Sequence, residues 1–226
     1  MSDMLVYTPH IIVGSAALLL FWMTLLVRKG SAVHRRNGRI YLLLLIPLLA
    51  SVVPITLRSL VVDGPVRIVQ LLYLSVIVSA AGWTAWRAIR DKRDPDAFRG
   101  PVFVVLACML SGMAALLMVS GIATQNLMAF GFSVIGIVYG GAMLGFLRRR
   151  PSPDWWRQWH LNGVALLFAA THASFSGLVI RTLRPAWDGE VLHGLTQFGV
   201  IALAYFFRQW LSWRYEASPE MAAQSA

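Results

Sequence analysis

Acidic residues are scarce in this sequence, and none of them lies inside its long apolar runs. Only 10 of the 226 residues are Asp or Glu. Charged residues make up 13% of the chain, whereas a typical soluble domain has about 25%. A buried acid-based proton relay and a di-iron carboxylate centre both need carboxylates within the apolar segments. The sequence therefore argues against both kinds of site.

Cysteine is almost absent as well. The single cysteine, Cys108, lies within an apolar run, so a disulfide framework and a four-cysteine zinc site are both excluded within one chain. The G-x-S-x-G and H-E-x-x-H motifs are also missing, and no carboxylate is placed to act as a buried base. A membrane-embedded hydrolase is therefore the least favoured class of enzyme.

Apolar residues dominate what is present. They make up 58% of the chain, and the mean hydropathy is +0.64. Seven runs are each close to the ~20 residues that cross ~30 Å of hydrocarbon, and in lipid such runs must be helical. We expect an all-α bundle of seven transmembrane helices, as a single domain over residues 1–215 with a short polar tail at 216–226. The predicted spans cover about 7–27, 40–60, 66–86, 102–123, 127–147, 159–180 and 191–210.

The positions of Lys and Arg predict the orientation. Sixteen of the 20 basic residues fall in segments at one end of the predicted spans, and four fall at the other. The positive-inside rule then places the N-terminus outside and the C-terminus in the cytoplasm, with the first run a retained span rather than a cleaved signal. We expect a multi-pass protein of the bacterial cytoplasmic (inner) membrane. The net charge of +10 then faces anionic lipid headgroups, and nucleic-acid binding is not expected.

Two further features concern loops and packing. The longest predicted loop, about 87–101, contains D-K-R-D-P-D and is expected to be a solvated turn. The fifth apolar run carries two G-x-x-x-G spacings, at 136/140 and 141/145. Small residues at this spacing predict close packing against a neighbouring helix.

The five histidines sort by depth along the predicted spans. His172 lies near the middle of the sixth span, His10 and His193 lie near outer ends, and His34 and His160 lie near inner ends. Histidines within apolar segments, without carboxylates, suit haem iron, copper or zinc. The structural alternatives are interfacial contacts for four of them, and for His172 a hydrogen bond to Ser or Thr on a neighbouring helix.

Two imidazoles from different helices can hold a b-type haem. In the outer half His10 pairs with His172 or His193, and Gly14 leaves room for a porphyrin. In the inner half His34 pairs with His160. Arginines near outer helix ends suit haem propionates, although each of them can equally extend to the headgroups. The candidate cofactor-binding residues are His10, His172, His193, Arg58, Arg181, Gly14, His34 and His160, and the candidate metal ligands are His10, His172 and His193.

Three functions fit these features. The leading hypothesis is a membrane redox protein that binds b-type haem and exchanges electrons with a quinone or periplasmic partner. The second is a transporter for a metal ion or small solute, with Pro47, Pro54 and His172 along its path. The third is a non-catalytic accessory subunit of a larger membrane complex, packed through its glycine-rich fifth span.

The first two spans carry a sequence pattern. A histidine and a glycine in the first span, His10 and Gly14, precede a turn that reads H-R-x-x-G-R-x-Y from His34 to Tyr41. With the later His160, this pattern resembles an uncharacterised bacterial family of integral membrane proteins. The resemblance implies a multi-pass membrane fold and no settled activity. A looser similarity to transmembrane di-haem cytochromes lies in histidines near both surfaces.

Overall fold

The computed structural model describes residues 3–183, 185–187 and 189–216, so nearly all of the predicted tail at 216–226 lies outside the described residues. Within them, seven helices are long and apolar enough to cross a membrane, as the sequence predicted. The elements are α1 (Asp3–Leu26), α2 (Ala32–Val62), α3 (Pro65–Arg90), the short α4 (Pro95–Phe98), α5 (Pro101–Ala123), α6 (Leu127–Phe146), α7 (Trp155–Leu183), a 3-10 turn (Pro185–Trp187) and α8 (Glu190–Glu216).

The second helix begins eight residues before its predicted start at residue 40. Gly30 has a φ of +74°, which turns the chain after α1. The Ser31 hydroxyl then accepts a hydrogen bond from the His34 backbone amide at 3.1 Å and caps α2. The basic segment after α1 is therefore the first turn of α2, and it fixes the direction of the His34 side chain.

The loop between α3 and α5 is more ordered than a solvated turn. The Asp94 carboxylate accepts from the backbone amides of Asp96 and Ala97 at 3.1 and 2.9 Å, which caps α4. The Phe98 side chain is only 1% exposed and packs 4.9 Å, between ring centroids, from both Phe103 and Trp155. The D-K-R-D-P-D run at 91–96 is mostly exposed, as expected of a solvated turn, but the buried Phe98 ring that follows it packs the loop against the bundle.

The third helix occupies the centre of the bundle. It packs against α2, α5, α6 and α7, while α7 in turn packs against α1 and α8. The contact between α3 and α7 is closest at Gly163, where an added β-carbon would lie 2.6 Å from the Ala81 carbonyl oxygen. Small side chains at Ala81 and Ala85, both fully or almost fully buried, complete this contact.

The two G-x-x-x-G spacings of α6 have different surroundings. Gly140 lies against the backbone and side chain of Ser111 in α5, and Gly136 lies against Ala114 of the same helix. Gly141 and Gly145 have no atom within 4 Å of an added β-carbon. The first spacing therefore packs two helices together as predicted, and the second faces open space.

Large apolar side chains are exposed along the outer faces of the long helices, for example Leu43, Val61 and Phe206 at 57%, 86% and 68% exposure. A surface of this kind is unfavourable in water and is the ordinary surface of a helix in lipid. The fold therefore suits a lipid bilayer.

The segments that join α1 to α2, α3 to α5 and α6 to α7, together with the helix turns beside them, carry 14 of the 20 basic residues, and we call this end of the bundle the basic end. At this end burial alone would raise the pKa of the Asp154 carboxyl. Hydrogen bonds from Gln158, Ser152 and Arg157 outweigh that effect and hold the pKa below its ordinary value of 3.8. The start of α7 is therefore fixed by an ionised carboxylate.

Candidate histidine site at the basic end

His34 lies in the first turn of α2 and is held by α1. Its Nδ1 lies 3.1 Å from the Thr24 carbonyl oxygen. A carbonyl oxygen only accepts hydrogen bonds, so Nδ1 carries the proton and donates it. Nε2 is then the unprotonated nitrogen, and no described residue hydrogen-bonds to it. This is the tautomer in which an imidazole binds a metal through Nε2.

His160 is held in the same way by a different helix. Its Nδ1 donates to the Ala85 carbonyl oxygen of α3 at 2.7 Å. Nothing in the described part of the chain donates to its Nε2. The close approach of α3 and α7 at Gly163, one turn further along, places the Ala85 carbonyl within reach of this ring. The side chain is therefore oriented by the backbone of a packed helix.

The two histidines are neighbours at the basic end. The charges of both His34 and Lys29 act on the His160 imidazole, so the three groups lie within electrostatic range of one another. The Lys29 ammonium donates to the Leu25 carbonyl oxygen. Burial lowers the pKa of the Lys29 amine. The fold thus gathers two imidazoles and one half-buried cation from two parts of the sequence, since Lys29 and His34 are close together and His160 follows His34 by 126 residues.

Asn37 is a polar neighbour that the sequence analysis missed. It follows His34 by three residues, so it projects from the same side of α2. Only 4% of Asn37 is exposed, so the fold places a polar amide in the interior beside the first turn of α2. Its spacing from His34 is the signal that would have found it.

His172 has both ring nitrogens occupied. Nδ1 donates to the Phe168 carbonyl oxygen at 2.8 Å, and Nε2 accepts from the indole N–H of Trp22 at 2.9 Å. The imidazole also stacks on the Phe168 ring, with centroids 3.9 Å apart. A metal at Nε2 would have to displace Trp22. The geometry thus makes His172 a link between α1 and α7, with Trp22 as its partner instead of the Ser or Thr that the sequence suggested.

His10 binds to α2 rather than to another histidine. The Ser51 hydroxyl donates to the Leu48 carbonyl oxygen at 2.6 Å, so it accepts from His10 Nδ1, which lies 2.9 Å away. The space above Gly14 is also taken by α2, because an added β-carbon would lie 3.6 Å from Leu48 Cδ1. The expected room for a porphyrin beside Gly14 holds a leucine side chain.

The other outer candidates lie on three helices. His193 is buried on α8 and packs over Gly177 of α7, with Nδ1 3.7 Å from the position of an added β-carbon. The Arg58 guanidinium of α2 lies 5.7 Å from the centre of the Tyr7 ring, one turn before His10, and donates to the Tyr7 hydroxyl at 3.5 Å. Arg181 is an exposed residue in the last turn of α7. The contacts of His193 and Arg58 join neighbouring helices.

The structure therefore brings together the inner pair, His34 and His160, and assigns separate partners to His10, His172 and His193. In the described ranges no group of three His, Cys, Asp or Glu side chains is arranged to hold a metal ion. Two imidazoles with open Nε2 atoms are a donor set for an axially ligated haem, which needs only two protein ligands. No family model, curated protein or solved structure matches the chain.

Proposed function

We propose that this protein is a membrane redox protein that binds a b-type haem through His34 and His160 and exchanges electrons with a quinone or a redox partner protein. The observation that carries the proposal is the matched state of the two imidazoles. Each donates Nδ1–H to a backbone carbonyl of another helix, and no residue that the structure describes hydrogen-bonds to either Nε2. A bound haem would supply one-electron chemistry at its iron.

The anchoring of the two rings supports this role. A ligand histidine commonly donates its other ring nitrogen to a carbonyl or carboxylate, which fixes the tautomer and the ring direction. Here Thr24 and Ala85 provide these acceptors from α1 and α3. Because both carbonyls belong to transmembrane helices, the rings are held by rigid elements rather than by loops.

The charge around the pair also supports an anionic cofactor. Lys29 lies within electrostatic range of both histidines, and Arg35 acts on His34 from the same turn of α2. Arg36 and Arg39 follow on exposed positions of that helix. Guanidinium and ammonium groups of this kind pair well with the two propionates of a haem. Asn37 offers a buried amide beside them.

The basic end suggests the orientation and the location of the protein. We place the basic end in the cytoplasm and the N-terminus outside, in a bacterial inner membrane, because Lys and Arg concentrate in the loops of that end. A membrane-impermeant label on a cysteine introduced at Ser152, in a variant whose Cys108 is replaced, should react only after the cells are opened. Labelling of intact cells would show that the protein has the opposite orientation.

The function is tested by spectroscopy of the protein purified in detergent. We expect a Soret band and iron in proportion to the chain. His34→Ala and His160→Ala should each lower the haem content by about tenfold or more, since each removes an axial ligand.

His172→Phe is the matched control. It removes an imidazole whose two nitrogens already have protein partners, and it keeps a ring to stack on Phe168. This variant should retain the Soret band. Absence of both the Soret band and iron would refute the haem proposal. Copper or zinc that is lost in the His34 and His160 variants would also refute haem, and it would assign the same imidazole pair to a metal ion.

A further inference from the structure

A groove opens at the basic end between α6 and α7. Two adjoining cavities of about 230 Å³ each form it, and they share the side chains of Phe146, Arg149 and Trp159. A protein interior has few voids larger than a water molecule, so the groove is not a packing defect. Its side towards the centre of the bilayer is lined by Gly141 and Gly145.

At the basic end the Phe146 ring of α6 packs against the Trp155 and Trp159 rings of α7, and the groove lies beside this contact. Near the other end of the bundle the Phe198 ring of α8 lies over Gly131, 2.2 Å from the position of an added β-carbon, and Met128 approaches Gly194. Towards the basic end Gly141 and Gly145 face no atom within 4 Å. The helix surface there has no side chains to fill the gap.

The groove is of mixed polarity along its length and cationic at its mouth. Gly141 and Gly145 lie at its inner end, where the Asn162 side chain also lines it. The rings of Phe146 and Trp159 line both parts, and Arg149 and Arg150 line the mouth. A groove in which glycines and aromatic rings lead to an amide and arginines has the mixed polarity of a phospholipid.

The arginines at the mouth retain their positive charge. In the described ranges no carboxylate forms an ion pair with Arg149 or Arg150. The nearby Asp154 carboxylate is already bound by Arg157 at 3.0 Å. The Arg99 guanidinium lies 4.5 Å from the centre of the Phe146 ring and donates to the Arg149 carbonyl oxygen, but its charge is paired with the Asp96 carboxylate at 3.5 Å. The mouth therefore presents an excess of positive charge at the depth of the headgroups.

We propose that this groove binds an anionic glycerophospholipid. One acyl chain lies along Gly141 and Gly145, and the phosphate contacts the guanidinium groups of Arg149 and Arg150. A zwitterionic lipid carries its own ammonium group beside the phosphate, so it gains less from these arginines. A free phosphate ion would gain no binding energy from the glycines and aromatic rings of the groove. The proposal does not depend on haem binding.

The test compares lipids by native mass spectrometry of the purified protein. Phosphatidylglycerol and phosphatidylcholine with identical acyl chains are added in separate titrations. The unmodified protein should retain phosphatidylglycerol in preference to phosphatidylcholine. Arg149→Gln should weaken phosphatidylglycerol binding by about fivefold and leave phosphatidylcholine binding unchanged, because it removes one surface charge. Gly145→Leu should weaken the binding of both lipids, because its side chain fills the groove.

Two control variants separate a built site from general effects. Arg148→Gln removes a neighbouring charge that lines neither cavity. Gly112→Leu adds the same side chain at another helical glycine with open surroundings, on α5. Both controls should bind phosphatidylglycerol as the unmodified protein does.

Three results would overturn the proposal. The first is an equal loss of binding in Arg148→Gln and Arg149→Gln, since the effect would then be general surface charge. The second is unchanged binding in a Gly145→Leu variant that melts at the same temperature as Gly112→Leu. The third is displacement of the lipid by millimolar inorganic phosphate, which would assign the arginines to a soluble anion. If Gly145→Leu fails to fold, the comparison of Arg149→Gln with Arg148→Gln is by itself the test of the proposal.

Discussion

Replacing Gly163 with alanine tests the contact on which the centre of the bundle depends. The new β-carbon would lie 2.6 Å from the Ala81 carbonyl oxygen and 2.9 Å from the Ala85 backbone nitrogen, whereas ordinary contacts begin near 3.4 Å. Both neighbours are backbone atoms of a helix, so they cannot move as a flexible side chain does. We expect α7 to separate from α3 by about 0.8 Å at this point.

The magnitude follows from two opposing effects. Overpacking of a well-packed interior costs about 1–3 kcal/mol. Alanine is a better helix former than glycine by about 1 kcal/mol or less. The net loss in the free energy of unfolding should therefore be about 0–2 kcal/mol relative to the unmodified protein, and about 1–3 kcal/mol relative to an alanine placed at an open helical glycine. The same displacement lengthens the hydrogen bond from His160 to the Ala85 carbonyl, so the variant should also hold its proposed haem more weakly.

The assay is reversible unfolding in mixed micelles with increasing SDS, followed by circular dichroism. Gly141→Ala is the matched control, because it makes the same chemical change on a long helix with no atom within 4 Å. It should be as stable as the unmodified protein or slightly more so. Equal stability of the two variants would refute the close contact between α3 and α7.

Two other predictions concern hydrogen bonds. Tyr73→Phe removes the bond from the buried phenol to the Phe132 carbonyl oxygen, 2.6 Å long, and should lower the free energy of unfolding by about 0.5–1.5 kcal/mol in the same assay. An unchanged value would mean that this bond does not contribute. The pKa of Asp154 is held below 3.8 in the folded state, so its stabilising effect is present above that pH and is lost as the pH falls through the lowered pKa. Melting temperatures measured above and below pH 3.8 should therefore differ less for Asp154→Asn than for the unmodified protein, and an equal difference would contradict the role of this carboxylate.

The number of transmembrane helices was predictable from the sequence because hydrophobic length is a local property. The residues at which the helices begin were less predictable. His34 was expected in an exposed turn, but the cap at Ser31 extends α2 backwards over it. His160 was expected at the start of a span, but α7 begins five residues earlier, at Trp155. In both cases polar residues at the membrane surface continue the helix, and hydropathy alone does not mark its first turn.

The partners of the histidines depend on contacts between helices, which hydropathy does not contain. Nothing in the local sequence joins Trp22 to His172, which follows it by 150 residues. The inner pair of His34 and His160 was proposed from their similar depth, and the structure places them within electrostatic range. The same reasoning paired His10 with His172 or His193. In the structure His10 is bonded to Ser51 of α2, and His172 is bonded to Trp22 of α1. Equal depth fixes only the position of a residue along the bundle axis. Its position around the bundle depends on how the helices pack.

The central position of α3 has a consequence for the order of assembly. During synthesis α3 enters the bilayer before α5, α6 and α7, which later cover most of its surface. Its polar side chains, such as Thr84, meet their partner Tyr139 only after a further 55 residues have been made. The nascent chain must therefore keep α3 in the membrane before α5, α6 and α7 have been made. Until α7 emerges, the uncovered surface of α3 is exposed to chaperones and proteases.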